Sequence, residues 1–161
     1  AYADGLQPVS PRQRAGAYRL FEADWPLAET TPICFDNGLC AISAEYDTQS
    51  GLLHLGWEVR APLQLPPLPL ISNPPPPGVY SGPRLAVFAQ LLAADGTFIT
   101  GDDGFWVDPL TLQVGDRFVQ QHRLPTDGSA ARIHFGLYDP FDGGRILTTA
   151  GDDFVPLPLG E

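Results

Sequence analysis

The sequence predicts an all-β fold: an antiparallel β-sandwich of immunoglobulin-like or jelly-roll-like type, with about nine short strands. Three observations carry this. Several segments alternate apolar and polar residues with period two. No segment sustains a 3.6-residue period, and 17 glycines and 18 prolines interrupt every candidate helix. The 161 residues are 43% hydrophobic and 17% charged, enough apolar side chain for one core and too little charge for a disordered chain.

The elements follow in chain order. Residues 1–16 are polar, contain Pro8 and Pro11, and read as an extended arm that orders only where something holds it. Residues 17–161 read as a single sandwich domain. Its first strand is placed at 17–25 and its second at 39–47. In 52–60, Leu53, Leu55, Trp57 and Val59 share one face while His54, Gly56, Glu58 and Arg60 share the other, the pattern of a half-buried strand. Residues 84–93 are apolar on both faces, as a central strand should be. Asp95-Gly96 turns that strand into 97–100. Residues 117–124 form the next strand, closed by Pro125. In 132–139, Ile133, Phe135 and Leu137 oppose Arg132, His134 and Tyr138. Residues 145–149 and 153–157 complete the set.

One stretch breaks the rhythm. Residues 61–83 hold nine of the 18 prolines, among them Pro74, Pro75, Pro76 and Pro77. Proline cannot donate to a strand ladder, so this is a polyproline-like insertion between two strands. It reads either as a stiff surface loop packed by its own Leu63, Leu65, Leu68, Leu70 and Ile71, or as an arm whose Pro74–Pro77 run docks a partner.

The two cysteines, Cys34 and Cys40, flank Phe35-Asp36-Asn37-Gly38-Leu39. A three-residue hairpin loop at Asp36-Asn37-Gly38, with Gly38 left-handed, sets Phe35 opposite Leu39 and Cys34 opposite Cys40. If Phe35 and Leu39 are the hydrogen-bonded pair, the cysteines occupy the closer, non-hydrogen-bonded type. A disulfide fits there, and with it an extracytoplasmic location. The alternative is two free thiols in a reducing compartment.

Charge excludes more. The net charge is −10, and all nine basic residues are arginines, none clustered beyond Arg12 and Arg14. A nucleic-acid partner needs a basic stripe, and an anionic membrane surface needs the same. No apolar run approaches the ~20 residues of a membrane span. Methionine is absent, including from position 1. The sequence therefore reads as a processed chain or a piece of a longer one, with any membrane tether outside it.

The C-terminal half carries a resemblance. Val87-Phe88-Ala89-Gln90-Leu91-Leu92-Ala93-Ala94-Asp95-Gly96 is followed by Asp103-Gly104, Gly115-Asp116 and Val119-Gln120-Gln121-His122-Arg123-Leu124-Pro125. Then come Ile133-His134-Phe135-Gly136-Leu137-Tyr138-Asp139-Pro140 and Gly144-Arg145-Ile146-Leu147. This order resembles the soluble C-terminal β-sandwich domain of bacterial membrane glycosyltransferases of the dolichyl-phosphate-mannose protein mannosyltransferase class, as found in filamentous green bacteria. The strand at 52–60 is similar to that domain's L-x-L-x-W strand. The likeness spans roughly residues 33–158 and rests on short β motifs. Two departures stand out: the proline-rich stretch replaces a short connection, and Gln90 stands where the family has a histidine. The resemblance implies an appendage. The catalytic carboxylates of such transferases lie in their membrane portion, so no catalytic residue carries over.

Little else in the sequence speaks of chemistry. There is no Gly-x-Ser-x-Gly elbow and no His-Glu-x-x-His helix. His54, His122 and His134 are scattered, and the first and last fall on polar strand faces, too few for a metal site. Asp102-Asp103, Asp139, Asp142 and Asp152-Asp153 read as loop acids beside glycine. Calcium wants such oxygens, but none follows the twelve-residue calcium-loop spacing, and turn chemistry alone accounts for them. No metal ligand set is assigned and no cofactor is expected, with calcium at these loop acids the one alternative left open. Trp57 reads as core. Trp106, in Gly101-Asp102-Asp103-Gly104-Phe105-Trp106-Val107-Asp108-Pro109, reads either as a cap on the sandwich end, with Phe105, or as a stacking platform for a sugar whose hydroxyls the acids bind. Phe105, Trp106, Asp102, Asp103 and Tyr80 are the candidate glycan residues.

The leading expectation is thus a non-catalytic, extracytoplasmic accessory domain of a membrane glycosyltransferase that binds a glycan or positions a partner. The alternative is a structural subunit of a cell-surface multimer, a homo-oligomer or an assembly with other chains, held by its proline-rich loop and N-terminal arm.

Overall fold

In a chain without helices, alternating strands can bury their apolar side by turning two sheets face to face. That is the arrangement in the computed structural model, which describes residues 7–8, 21–22, 27–67, 74, 77, 82–126 and 128–159. Strands β1 (Gln7–Pro8) and β2 (Phe21–Glu22) pair with each other antiparallel. The remaining residues of the predicted arm and of the predicted strand at 17–25 up to position 26 lie outside the described residues. Nine strands form the sandwich: β3 (Ile33–Cys34), β4 (Leu39–Asp47), β5 (Leu52–Val59), β6 (Ala86–Ala93), β7 (Phe98–Gly104), β8 (Arg117–Arg123), β9 (Ala130–Tyr138), β10 (Arg145–Ile146) and β11 (Val155–Pro158). One sheet has the order β3-β4-β5-β8, the other β10-β9-β6-β7 with β11 also on β9, and all pairings are antiparallel. No helix among the described residues is long and apolar enough to cross a membrane.

The faces are those the alternation predicts. Leu53, Leu55, Trp57 and Val59 are buried, as are Val87, Ala89 and Leu91 of β6 and Ile133, Phe135 and Leu137 of β9. They form one cluster with Phe35, Leu39 and Leu124. Trp57 is its centre, 6.0 Å from Phe35 and 6.3 Å from Phe135 between ring centroids, the latter edge-on at 87°. The β6 strand is central in its sheet, between β9 and β7, and buried on both faces: Val87, Ala89 and Leu91 face the core and Arg145 lies over its outward Phe88.

Most boundaries shift by one or two residues, and two shift further. The β7 strand runs on to Gly104, so Asp102 and Asp103 are strand residues and not loop acids. Their poor strand propensity is overridden by pairing, since Ala89 and Phe88 of the central strand sit opposite them. The expected strand at 145–149 shortens to β10, and Thr148 instead bridges to Phe35.

That bridge joins the two sheets along one side. Asp36 N–H donates to the Leu147 carbonyl at 2.9 Å, and Thr149 N–H to the Cys34 carbonyl at 2.8 Å. Beside it stands the cysteine hairpin. Phe35 N–H donates to Leu39 O at 2.9 Å, Gly38 is left-handed at φ +92°, and Cys34 pairs with Cys40 as a disulfide with 4.0 Å between Cα atoms. The tip receives the start of the proline-rich stretch: Arg60 N–H bonds Gly38 O at 3.0 Å and Gln64 N–H bonds Asn37 O at 2.9 Å. A side chain at Gly38 would stand 2.8 Å from the Ala61 carbonyl oxygen, so the position needs glycine twice over. Leu63 and Leu65 pack on the core. Leu68, Leu70 and Ile71 lie outside the described residues.

The bond closes a short loop, a sequence separation of 6, so its effect on the unfolded chain is modest. The double variant Cys34→Ser/Cys40→Ser is expected to lose about 2 kcal/mol of stability. Chemical denaturation measures it. A loss under about 0.5 kcal/mol would mean the hairpin bonds hold this corner by themselves.

Candidate functional site

The other side of the sandwich, where β7 and β8 face each other, is joined by side chains. Strand alternation sends Asp102 inward toward β8 and Asp103 outward. Asp102 accepts the Arg123 N–H at 2.8 Å, and its carboxylate lies 3.6 Å from Nδ1 of His122. His122 is 0% exposed and its neighbour on the same face, Gln120, is also buried. The Gln120 amide nitrogen donates to the Gly104 carbonyl at 2.9 Å and lies 2.8 Å from His122 Nε2, while its oxygen accepts the Trp106 N–H at 3.4 Å. With the amide so oriented, His122 Nε2 is the acceptor and its proton sits on Nδ1, toward Asp102. That Nδ1 has no hydrogen-bond partner. Burial pushes the His122 pKa down, outweighing the opposing pull of Asp102, so the ring is neutral near pH 7.

This buried network ends at an exposed ring. Trp106 is 57% exposed, yet it is held. Its indole N–H donates to the Gln121 carbonyl at 3.1 Å. The six-membered half of the ring fills the space where a Gly104 side chain would stand, 2.7 Å from Cη2. Gly104 is therefore what lets the ring lie down beside β7. Phe105 takes the opposite course. It packs edge-on against Phe118, 5.7 Å apart at 85°, and joins the core.

Trp106 forms one wall of a cleft of about 720 Å³, with Asp103, Asp108, Tyr138, Pro83 and Pro140 among the other walls. The Tyr138 hydroxyl donates to Asp103 at 3.2 Å. Asp108 caps a 3₁₀ turn, Pro109–Thr111, accepting the Leu110 N–H at 3.0 Å. A neighbouring hollow of about 440 Å³ is lined by Leu63, Leu65, Leu110, Leu112 and Val114, with Gln113 among them. At its rim Leu110 is 67% exposed and Val114 55%.

Of the residues marked in the sequence, Trp106 and Asp103 meet in the cleft. Phe105 borders it with its ring turned to the core, and Asp102 faces the β7–β8 seam. Tyr80, Pro75 and Pro76 lie outside the described residues, and Pro74 and Pro77 are exposed. His54 sits on a polar face, 2.8 Å from the Gln121 amide, and His134 stacks on Phe154 at 4.0 Å. Sequence reasoning missed Gln120, His122, Tyr138 and Asp108. One signal was there for the first two: period two puts Gln120 and His122 on the same face as Phe118 and Leu124, and polar residues on an apolar face invite a question. Among the described residues, no group of three or more His, Cys, Asp or Glu is placed to hold a metal ion.

No protein-family model, curated protein or solved structure matches the chain. The functional reading therefore rests on the cleft itself.

Proposed function

We propose that the chain is a non-catalytic, extracytoplasmic glycan-holding module, the accessory β-sandwich of a membrane glycosyltransferase. The observation that carries it is the Trp106 platform: an exposed indole fixed by its N–H to Gln121 and by contact with Gly104, beside Asp103 and Tyr138 in one cleft. A sugar offers such a ring its apolar C–H face and offers the carboxylate its hydroxyls. A ring already held loses little freedom on binding, which favours affinity. The Cys34–Cys40 disulfide supports an oxidising compartment. The attachment to a glycosyltransferase rests on the likeness of residues 33–158 to the accessory domains of that class.

Titration calorimetry against a panel of oligosaccharides tests the reading. Trp106→Ala is expected to weaken the best binder about tenfold, or roughly 1.4 kcal/mol. An unchanged affinity, or a wild-type chain that binds no member of the panel, overturns it.

A second reading, the structural subunit, has one observation in its favour: the exposed Leu110 and Val114 around the neighbouring hollow. Assembly by adding a strand has less support, because backbone bonds tie Cys34 and Asp36 to residues 147–149 on one side, and side chains stitch β7 to β8 on the other. Sedimentation of the native protein separates the two, a monomer favouring the module and a defined multimer the subunit.

A further inference from the structure

The charge lining the cleft narrows the class of sugar. Asp103 and Asp108 contribute carboxylates, and among the described residues no Arg or His lines the space. Arg84, next to Pro83, is bound to Asp139 and Asp142. Arg145 stacks on Phe88 at 3.6 Å and lies 5.8 Å from the ring centre of Tyr138, beside one wall of the cleft without lining it. The hydrogen bonds that Asp103 accepts from Tyr138 and Asp108 from the Leu110 N–H leave further lone pairs on each carboxylate for a ligand. The whole chain adds a repulsive background, with a net charge of −10.

We infer that the cleft selects sugars bearing amino or neutral hydroxyl donors and rejects acidic ones: an amino-sugar oligomer is the preferred occupant and a uronic-acid oligomer the excluded one. The inference rests on the glycan reading above and adds the specificity to it. The stacking ring supplies affinity that is blind to charge. Discrimination comes from the carboxylates, through charge-assisted bonds to an ammonium or hydroxyl and repulsion of a second carboxylate.

The test uses three probes of equal length on the full chain: a glucosamine trimer, an N-acetylglucosamine trimer and a galacturonic acid trimer. At low ionic strength the affinities are expected in that order, with about a tenfold span between first and last, the scale of exposed charge pairs. At about 0.5 M salt the span should shrink to about twofold, since screening removes charge effects but not stacking. The double variant Asp103→Asn/Asp108→Asn should flatten the order at low salt. Asparagine keeps an acceptor for Tyr138 and for the Leu110 N–H, so the local fold is retained. Equal binding of all three trimers by the wild type, or tightest binding of the galacturonic acid trimer, overturns the specificity and leaves the glycan reading standing. Binding of none of them overturns the specificity, and the glycan reading falls with it if the wider oligosaccharide panel also fails to bind.

Discussion

Replacing Trp57 by alanine is expected to cost about 3–5 kcal/mol of folding stability. The ring is fully buried between the two sheets, against Phe35 and Phe135, so its removal leaves a large cavity at the middle of the core. Domains of this size hold roughly 5–15 kcal/mol in all, so the variant should sit close to the unfolding threshold. Trp57→Phe should lose less. The indole N–H is buried with no hydrogen-bond partner, and phenylalanine removes that unsatisfied donor while keeping most of the aromatic contact. Urea denaturation checks both: the midpoint should fall much further for alanine, with the slope unchanged. A loss under about 1 kcal/mol for Trp57→Ala would mean that the core repacks freely around this position.

The second large effect is a loss of stability on mild acidification, traced to His122. Its folded pKa lies below its unfolded value because burial disfavours the charged ring. Between those two values the unfolded chain binds more protons than the folded one. Stability is therefore complete above about pH 6.5 and falls as pH drops through the window, by at most about 1.4 kcal/mol per pH unit for this one group. His134 acts in the same direction, through burial and then the nearby Arg132, but it is more open to water. The carboxylates held down by hydrogen bonds and arginine partners, Asp47, Asp95 and Glu58, lose their contribution only at lower pH, so the window near pH 5–6.5 reports the histidines. His122→Gln should flatten the profile there. A parallel decline in wild type and variant would assign the acid sensitivity to other groups. Protonation also takes away the Nε2 acceptor, so Gln120 must turn or give up a bond, and its other bonds run to Gly104 and Trp106.

The sheets were legible because several strands alternate, and alternation depends only on which face meets the core, while the central β6 shows itself by being apolar on both faces. Leu52–Val59 and Ala130–Tyr138 illustrate the alternation, each with its apolar positions buried as read. The cysteine hairpin was legible because Gly38 and the spacing fix one register. Asp102 and Asp103 were misread as loop acids because their strand state comes from a partner distant in sequence, the central β6. The site was half legible for the same reason. A tryptophan among glycines and acids marks itself, and Asp108 stands two residues beyond it, but Tyr138 and Gln120 reach the cleft or its support only because β9 and β8 come beside the end of β7. Nothing local announces such a meeting.

Arg84 offers a last consequence. Besides Asp139 and Asp142, it donates to the Pro67 carbonyl at 3.2 Å. One guanidinium thus brings the entry of the proline-rich stretch next to its exit, while Gln64 and Asn37 secure the entry. Once two ends are held together, the entropy of what runs between them grows only slowly with its length. The length of chain between Pro67 and Arg84 is then a weak constraint on the β-sandwich: each doubling of it would cost only about 0.6 kcal/mol of closure entropy, because the clasp itself sets how far apart the ends lie.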